Sequence, residues 1–231
     1  VSKIASIFRR KTPKRAKFIP IMPATLAFNM KNPHTYELFR AGNISMIHID
    51  IMDGFFVDRI FSGIDELKYI REHTNARLYV HLMTESPAVW AAAAANAGAD
   101  TIIVSTNTAG VRAALRKIKE LGKRSGIALN LESSVDILKP VLKEIDDVLV
   151  MAIKPGYGGQ AFDESVLFKI SVLANTRKKY GLKFKITVDG GITADTAQAC
   201  WRAGADFLAS GSYLAKSPDF PLAVQSLLRC E

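Results

Sequence analysis

The sequence predicts an α/β fold, a single-domain (β/α)8 TIM barrel, on three observations. Short β-branched runs alternate with helical stretches from about residue 18 onward, eight of each. A weak internal repeat recurs where helices hand over to strands. The unusual polar residues fall at the C-terminal ends of strands, where a barrel of this kind carries its chemistry. With 231 residues, 48% of them hydrophobic, the chain is long enough for one sizeable core without dividing.

Taken in order, residues 1–17 (VSKIASIFRRKTPKRAK) form a basic N-terminal arm with seven Lys or Arg and no acid. Without that arm the formal net charge of +9 falls to +2, so the body is close to neutral. The arm reads most simply as a solvated tail or a contact on a neighbouring subunit, with an anionic surface or a targeting role as the sharper alternative. No nucleic-acid partner is expected. The barrel domain is predicted over 18–231, with strands at 18–24, 45–51, 77–83, 101–105, 126–130, 148–153, 185–189 and 207–210. Helices are predicted at 31–42, 63–74, 86–97, 109–122, 133–144, 163–180, 194–203 and 218–229.

"NAGADTIIVS" (96–105), "RAGADFLASG" (202–211) and, more loosely, "RAGNISMIHID" (40–50) each end a helix on Ala-Gly before a strand. The glycine is expected as a left-handed helix cap. No apolar run reaches the roughly 18 residues of a membrane span, and no signal-peptide pattern opens the chain. Cys200 and Cys230 give neither a disulfide framework nor a CxxC spacing. A reduced, cytoplasmic protein is expected.

"IHIDIMDG" (47–54) places isoleucine at every second position and His48, Asp50 and Met52 on the opposite face. His81 ends the third predicted strand in "YVHLM", and Asp189 ends the seventh in "ITVDGG". A single histidine on an apolar strand is more often a satisfied core residue, and an Asp before Gly-Gly is often a turn residue. Together they are harder to dismiss, because buried unpaired carboxylates are costly. One divalent metal is the better reading, and imidazole with carboxylate suits Zn, Mn, Fe or Co equally.

A second constellation points to phosphate. "KPGYGGQAF" (154–162), "VDGG" (188–191) and "SGSYL" (210–214) follow the last three strands. Their glycines, Gly156, Gly158, Gly159, Gly190, Gly191 and Gly211, let backbone N–H groups approach an anion, with Tyr157 and Ser212 alongside. Each loop alone reads as a turn; three adjacent ones indicate a phosphate site.

From about Ile19 to Leu214 these residues resemble the ribulose-phosphate 3-epimerase family. "HIDIMDGFFV", "VHLM", "GIALN", "VMAIKPGYGGQAF", "VDGGI" and "AGADFLASGS" fall in the family's order and spacing. The resemblance implies an isomerase of pentose phosphate metabolism, usually a homo-oligomer, acting on a small-molecule sugar phosphate. It implies that His48, Asp50, His81 and Asp189 hold the metal and that Asp50 and Asp189 are the acid–base pair. It also implies that Gly158, Gly159, Gly190, Gly191, Gly211 and Ser212 line the phosphate pocket. Met52, Met83 and Met151 read either as an apolar lid over the substrate or, slightly better, as core filler.

The chain departs from the family where the sugar is contacted. Ala24 and Ala27 stand where serines are usual, Phe55 and Ser105 where histidines are, and Lys154 where Asn, Asp or Glu is. "VDR" (57–59) replaces a "VPN". Lys154 is expected to meet the anionic far end of a substrate, or else to be exposed. The substrate is expected to be ribulose 5-phosphate, with another ketose phosphate such as a hexulose 6-phosphate (allulose 6-phosphate) as runner-up. A related barrel class, the orotidine-phosphate-type decarboxylases, uses an Asp-x-Lys-x-x-Asp run, and "DIMDG" lacks its lysine. A non-catalytic sugar-phosphate binder would be expected to have lost a ligand or an acid, and none is lost.

Overall fold

Eight parallel strands curl into a ring because each offers an apolar face outward to helices and a mixed face inward. The computed structural model describes residues 18–229, so the basic arm lies outside the described residues. The elements are β1 (Ile21–Pro23), α1 (Pro33–Ala41), β2 (Met46–Asp53), β3 (Ile60–Phe61), α2 (Ile64–His73), β4 (Arg77–Met83), α3 (Pro87–Asn96) and β5 (Thr101–Ser105). They continue with α4 (Val111–Glu120), β6 (Arg124–Leu129), β7 (Asp147–Met151), α5 (Val166–Tyr180), β8 (Lys185–Asp189), α6 (Ala194–Ala203), β9 (Phe207–Ser210), α7 (Ser212–Ala215) and α8 (Phe220–Ser226). The strand order is β1-β9-β8-β7-β6-β5-β4-β2-β3, with β3 a short antiparallel addition to β2. A parallel bridge between Ala24 and His48 closes the ring. The fold class is the one the sequence predicts.

Alternation divides the core in two. Ile47, Ile49 and Ile51 of β2 point outward into the layer under the helices, with Val80, Val104 and Val150 of neighbouring strands. Met22, Met46, Tyr79, Ile103, Leu149 and Met151 fill the barrel interior. Helix ends follow local chemistry. Asn32 accepts from the His34 N–H ahead of Pro33, Thr193 and Thr196 make a reciprocal box, and Asp219 caps α8.

Two expectations are corrected. The predicted helix at 133–144 is a short 3-10 turn over Val135–Leu138 followed by turns. Pro140 explains it: proline has no N–H to donate and its ring obstructs the preceding helical turn. The Lys169 ammonium on α5 donates instead to the carbonyls of Asn130, Leu131 and Ser133, pinning the loop after β6. In the loosest repeat the left-handed residue is Asn43 (φ 52°), not Gly42. Gly42 is needed for space, because a Cβ there would lie 2.7 Å from the Phe220 ring.

Candidate active site

β2 supplies two of the polar side chains, and its pairing supplies a third. Parallel register sets Asp50 opposite His81 of β4, and alternation turns His48, Asp50 and His81 inward. All three are buried. Asp50 Oδ1 lies 3.1 Å from both His48 Nε2 and His81 Nδ1. Asp189 comes from the end of β8, with β9 and β1 between it and β2. Ala209 of β9 and Ala24, the residue after β1, line the same cavity as Asp189, and His48 Nε2 reaches to 3.7 Å from Asp189 Oδ2. The four residues singled out from the sequence meet here from three strands.

Donor atoms of His48, Asp50 and His81 lie within 4.8 Å of one another, close enough to share one cation, with Asp189 beside the group. Two imidazole nitrogens and a carboxylate are a donor set suited to zinc or another divalent transition ion. His48 Nδ1 and His81 Nε2 have no hydrogen-bond partner among the described residues. The residues present therefore fit a divalent metal.

Electrostatics agree with an excess of negative charge. Burial pulls the His48 imidazole down, but the carboxylates of Asp50 and Asp189 outweigh it and raise its pKa to about 9. Burial acts to push Asp50 up, yet His48 and His81 hold it well below the usual carboxylate range. Asp189 goes the other way, raised by burial and by the Asp50 charge against the pull of His48. One carboxyl is thus held ionised while its neighbour keeps a proton more readily.

Asp50 and Asp189 both open onto a cavity of about 520 Å3. Gly158, Gly159, Gly190, Gly191, Gly211 and Ser212 line it, the six residues that the resemblance implies for a phosphate pocket. The loops after β7 and β8 are interlocked there: Gly191 has φ 64°, and a Cβ on it would lie 2.6 Å from the Phe162 backbone nitrogen. Gly156 and Tyr157 are not among the lining residues; the Gly156 carbonyl accepts from Arg59 instead. Met52, Met83 and Met151 are buried and do not line the cavity, which agrees with core filler. Lys154 also falls outside it and borders a separate cavity of about 700 Å3 with Phe55, Glu85 and Asn130. Ala24 and Ala27 do line the cavity shared by Asp50 and Asp189. Ser105 is buried inside the barrel, and its hydroxyl has no hydrogen-bond partner among the described residues.

Sequence reasoning missed two groups. Arg59 and Lys216 both line the cavity; the change to "VDR" was visible, but its reach was not. Beneath the site, the Tyr79 ring stacks on His48 at 5.5 Å between centroids. Its hydroxyl donates to Asp147 Oδ1 (2.9 Å), which also accepts from the Thr187 hydroxyl (2.8 Å). The available signal was alternation: Tyr79 and Thr187 stand two residues before His81 and Asp189.

The model of the ribulose-phosphate 3 epimerase family matches residues 21–215. A ribulose-phosphate 3-epimerase of Bacillus subtilis is 37% identical over 188 residues, 80% of this chain and 87% of the relative. A chloroplastic ribulose-5-phosphate-3-epimerase of Arabidopsis thaliana is 33% identical over 213 residues, 90% of this chain and 76% of the relative. Among solved structures, an orotidine 5'-phosphate decarboxylase from Pyrococcus horikoshii superposes with a TM-score of 0.65 over 90% of this chain and 96% of its own. At 18% identity that likeness concerns the barrel alone. The motifs, the meeting of His48, Asp50, His81 and Asp189, and a family match spanning all eight barrel strands lead to one assignment: the chain belongs to the ribulose-phosphate 3-epimerase family.

Proposed function

We propose that the protein epimerises a ketose phosphate at C3, converting D-ribulose 5-phosphate to D-xylulose 5-phosphate, with Asp50 and Asp189 as the two acid–base groups. The observation that carries this reading is one cavity with both carboxylates on its floor and three glycine loops along its wall. Inverting a carbon next to a ketone requires a proton to leave one face and return to the other. Carboxylates from β2 and β8 approach the cavity from different sides of the ring; Asp50 is the one held ionised and so free of a proton, and Asp189 the one that keeps a proton more readily. The glycine loops would fix the phosphate, so that C3 sits between the two acids and does not drift.

His48, Asp50, His81 and Asp189 are proposed to hold one divalent metal. When bound it supplies Lewis-acid stabilisation for the negative charge that an enediolate places on oxygen. His48 and His81 keep Asp50 oriented, and the surrounding apolar strands exclude bulk water. Homo-oligomerisation and a cytoplasmic location are proposed by likeness to the family; light scattering of the purified chain tests the first.

A second reading has one observation in its favour. The cavity wall at Ala24, Leu26 and Ala27 has no side-chain hydroxyl, and a site without such groups discriminates weakly among sugars. A hexulose 6-phosphate would then be turned over as well. Kinetics on both substrates decide: kcat/KM for ribulose 5-phosphate of roughly 10⁴ M⁻¹s⁻¹ or more supports the pentose reading. A clear preference for the hexulose phosphate supports the alternative.

A further inference from the structure

The segment between β2 and β3 crosses the barrel mouth as a strap. Its root is fixed by Asp53, whose carboxylate accepts from the N–H groups of Phe55, Phe56 and Glu85 (2.9, 2.9 and 2.8 Å). Its far end reaches the loop after β7, although β1, β9 and β8 lie between β2 and β7 on that side of the ring. There Arg59 Nη1 donates to the Gly156 carbonyl (3.0 Å), and the Tyr157 hydroxyl donates to the Asp58 carbonyl (3.2 Å). The guanidinium is sandwiched against two rings, 5.3 Å from the Phe61 centroid and 5.4 Å from that of Tyr157. The strands spanned are those whose loops wall the Asp50–Asp189 cavity, and Arg59 lines that cavity from the strap.

Charge gives the strap a chemical meaning. The cavity is lined by two carboxylates, Asp50 and Asp189, and two cations, Arg59 and Lys216. Neither cation has a carboxylate within ion-pair distance among the described residues, whereas Arg177 and Lys185 both pair with Asp206. An arginine offers five N–H donors in a planar fork that matches phosphate. One hydrogen bond and two ring faces hold this fork in place and leave further donors for a ligand. Ser212 is the only side-chain hydroxyl among the described lining residues, so cations carry most of the side-chain recognition available there.

We propose that Arg59 is a substrate-binding, specificity-determining residue whose guanidinium receives the phosphate dianion of the sugar phosphate, with Lys216 as a second cation lining the same cavity. This rests on the sugar-phosphate reading above. It makes the phosphate, rather than the sugar hydroxyls, the main handle by which this chain selects its substrate.

The test combines calorimetric titration with inorganic phosphate and kinetics on D-ribulose 5-phosphate and unphosphorylated D-ribulose. Arg59→Ala should weaken phosphate binding and raise KM for ribulose 5-phosphate by about tenfold or more, with kcat changed far less. Arg59→Lys should recover part of the loss, and in both variants the loss of kcat/KM on D-ribulose should be much smaller than the loss on ribulose 5-phosphate. Circular dichroism confirms folding, and Arg59→Gln serves if the alanine variant does not fold. Unchanged phosphate binding in the alanine or glutamine variant overturns the proposal, as does an equal loss on ribulose and its phosphate. The phosphate titration needs no turnover. A parent that binds phosphate through Arg59 yet epimerises nothing overturns the proposed reaction and leaves Arg59 standing; an active parent indifferent to Arg59 does the reverse.

Discussion

At the residue scale, the barrel interior holds a carboxyl that does not line the Asp50–Asp189 cavity. Asp147 sits beneath the site, buried, accepting from Tyr79 and Thr187. Burial raises its pKa from 3.8 to about 7, although both hydrogen bonds oppose the rise. A carboxyl whose folded pKa is raised adds stability that is fully present below the unfolded value and lost as pH rises through about 7. A tenfold change in proton affinity is about 1.4 kcal/mol and moves Tm by ~3 °C at this chain length. The parent should therefore lose at least ~3 °C between pH 5 and pH 8 beyond the loss in Asp147→Asn. Parallel Tm–pH profiles for the two proteins would show that Asp147 is ionised throughout. None of these three residues stands out in the sequence alone: a tyrosine, a threonine and an aspartate become a network only once register brings three strands together.

At the element scale, the decisive features are loops after strands. Gly191 lies in the left-handed region, and its missing Cβ makes room for the Phe162 backbone. Gly191→Ala should cost about 2 kcal/mol or more, from strain plus a clash that backbone cannot easily relieve. It should also weaken phosphate inhibition. Urea denaturation and a phosphate Ki read the two effects, and parent values for both would mean that the loops are free to separate. The strands were legible because alternating isoleucines and inward polar residues obey a period of two. The helix at 133–144 was misread because its apolar spacing is helical while Pro140 forbids the ladder, and Lys169 on α5 satisfies the loop instead. Arg59 was legible as a departure but not as a cavity residue. A loop side chain crossing three strands leaves no trace in local spacing.

At the scale of the whole molecule, one ring brings His48, Asp50, His81 and Asp189 together although 141 positions separate the first from the last. Demetallated protein reconstituted with a divalent ion should bind one ion per chain by elemental analysis. His81→Ala and Asp189→Asn should each bind it more weakly, by at least about tenfold. Parent-like affinity in both variants would place the metal elsewhere. The site was legible to the extent that chemistry concentrates at strand ends, which is a property of the barrel and not of any one motif.

Asp50 and Asp189 are proposed to exchange the C3 proton of ribulose 5-phosphate. This exchange is read most directly by proton NMR of the metal-reconstituted protein turning over that substrate in D₂O. Xylulose 5-phosphate should accumulate with deuterium at C3, and Asp50→Asn or Asp189→Asn should slow its formation by about 10²–10⁴-fold. Product that keeps its original C3 proton, or either variant working at the parent rate, would contradict it.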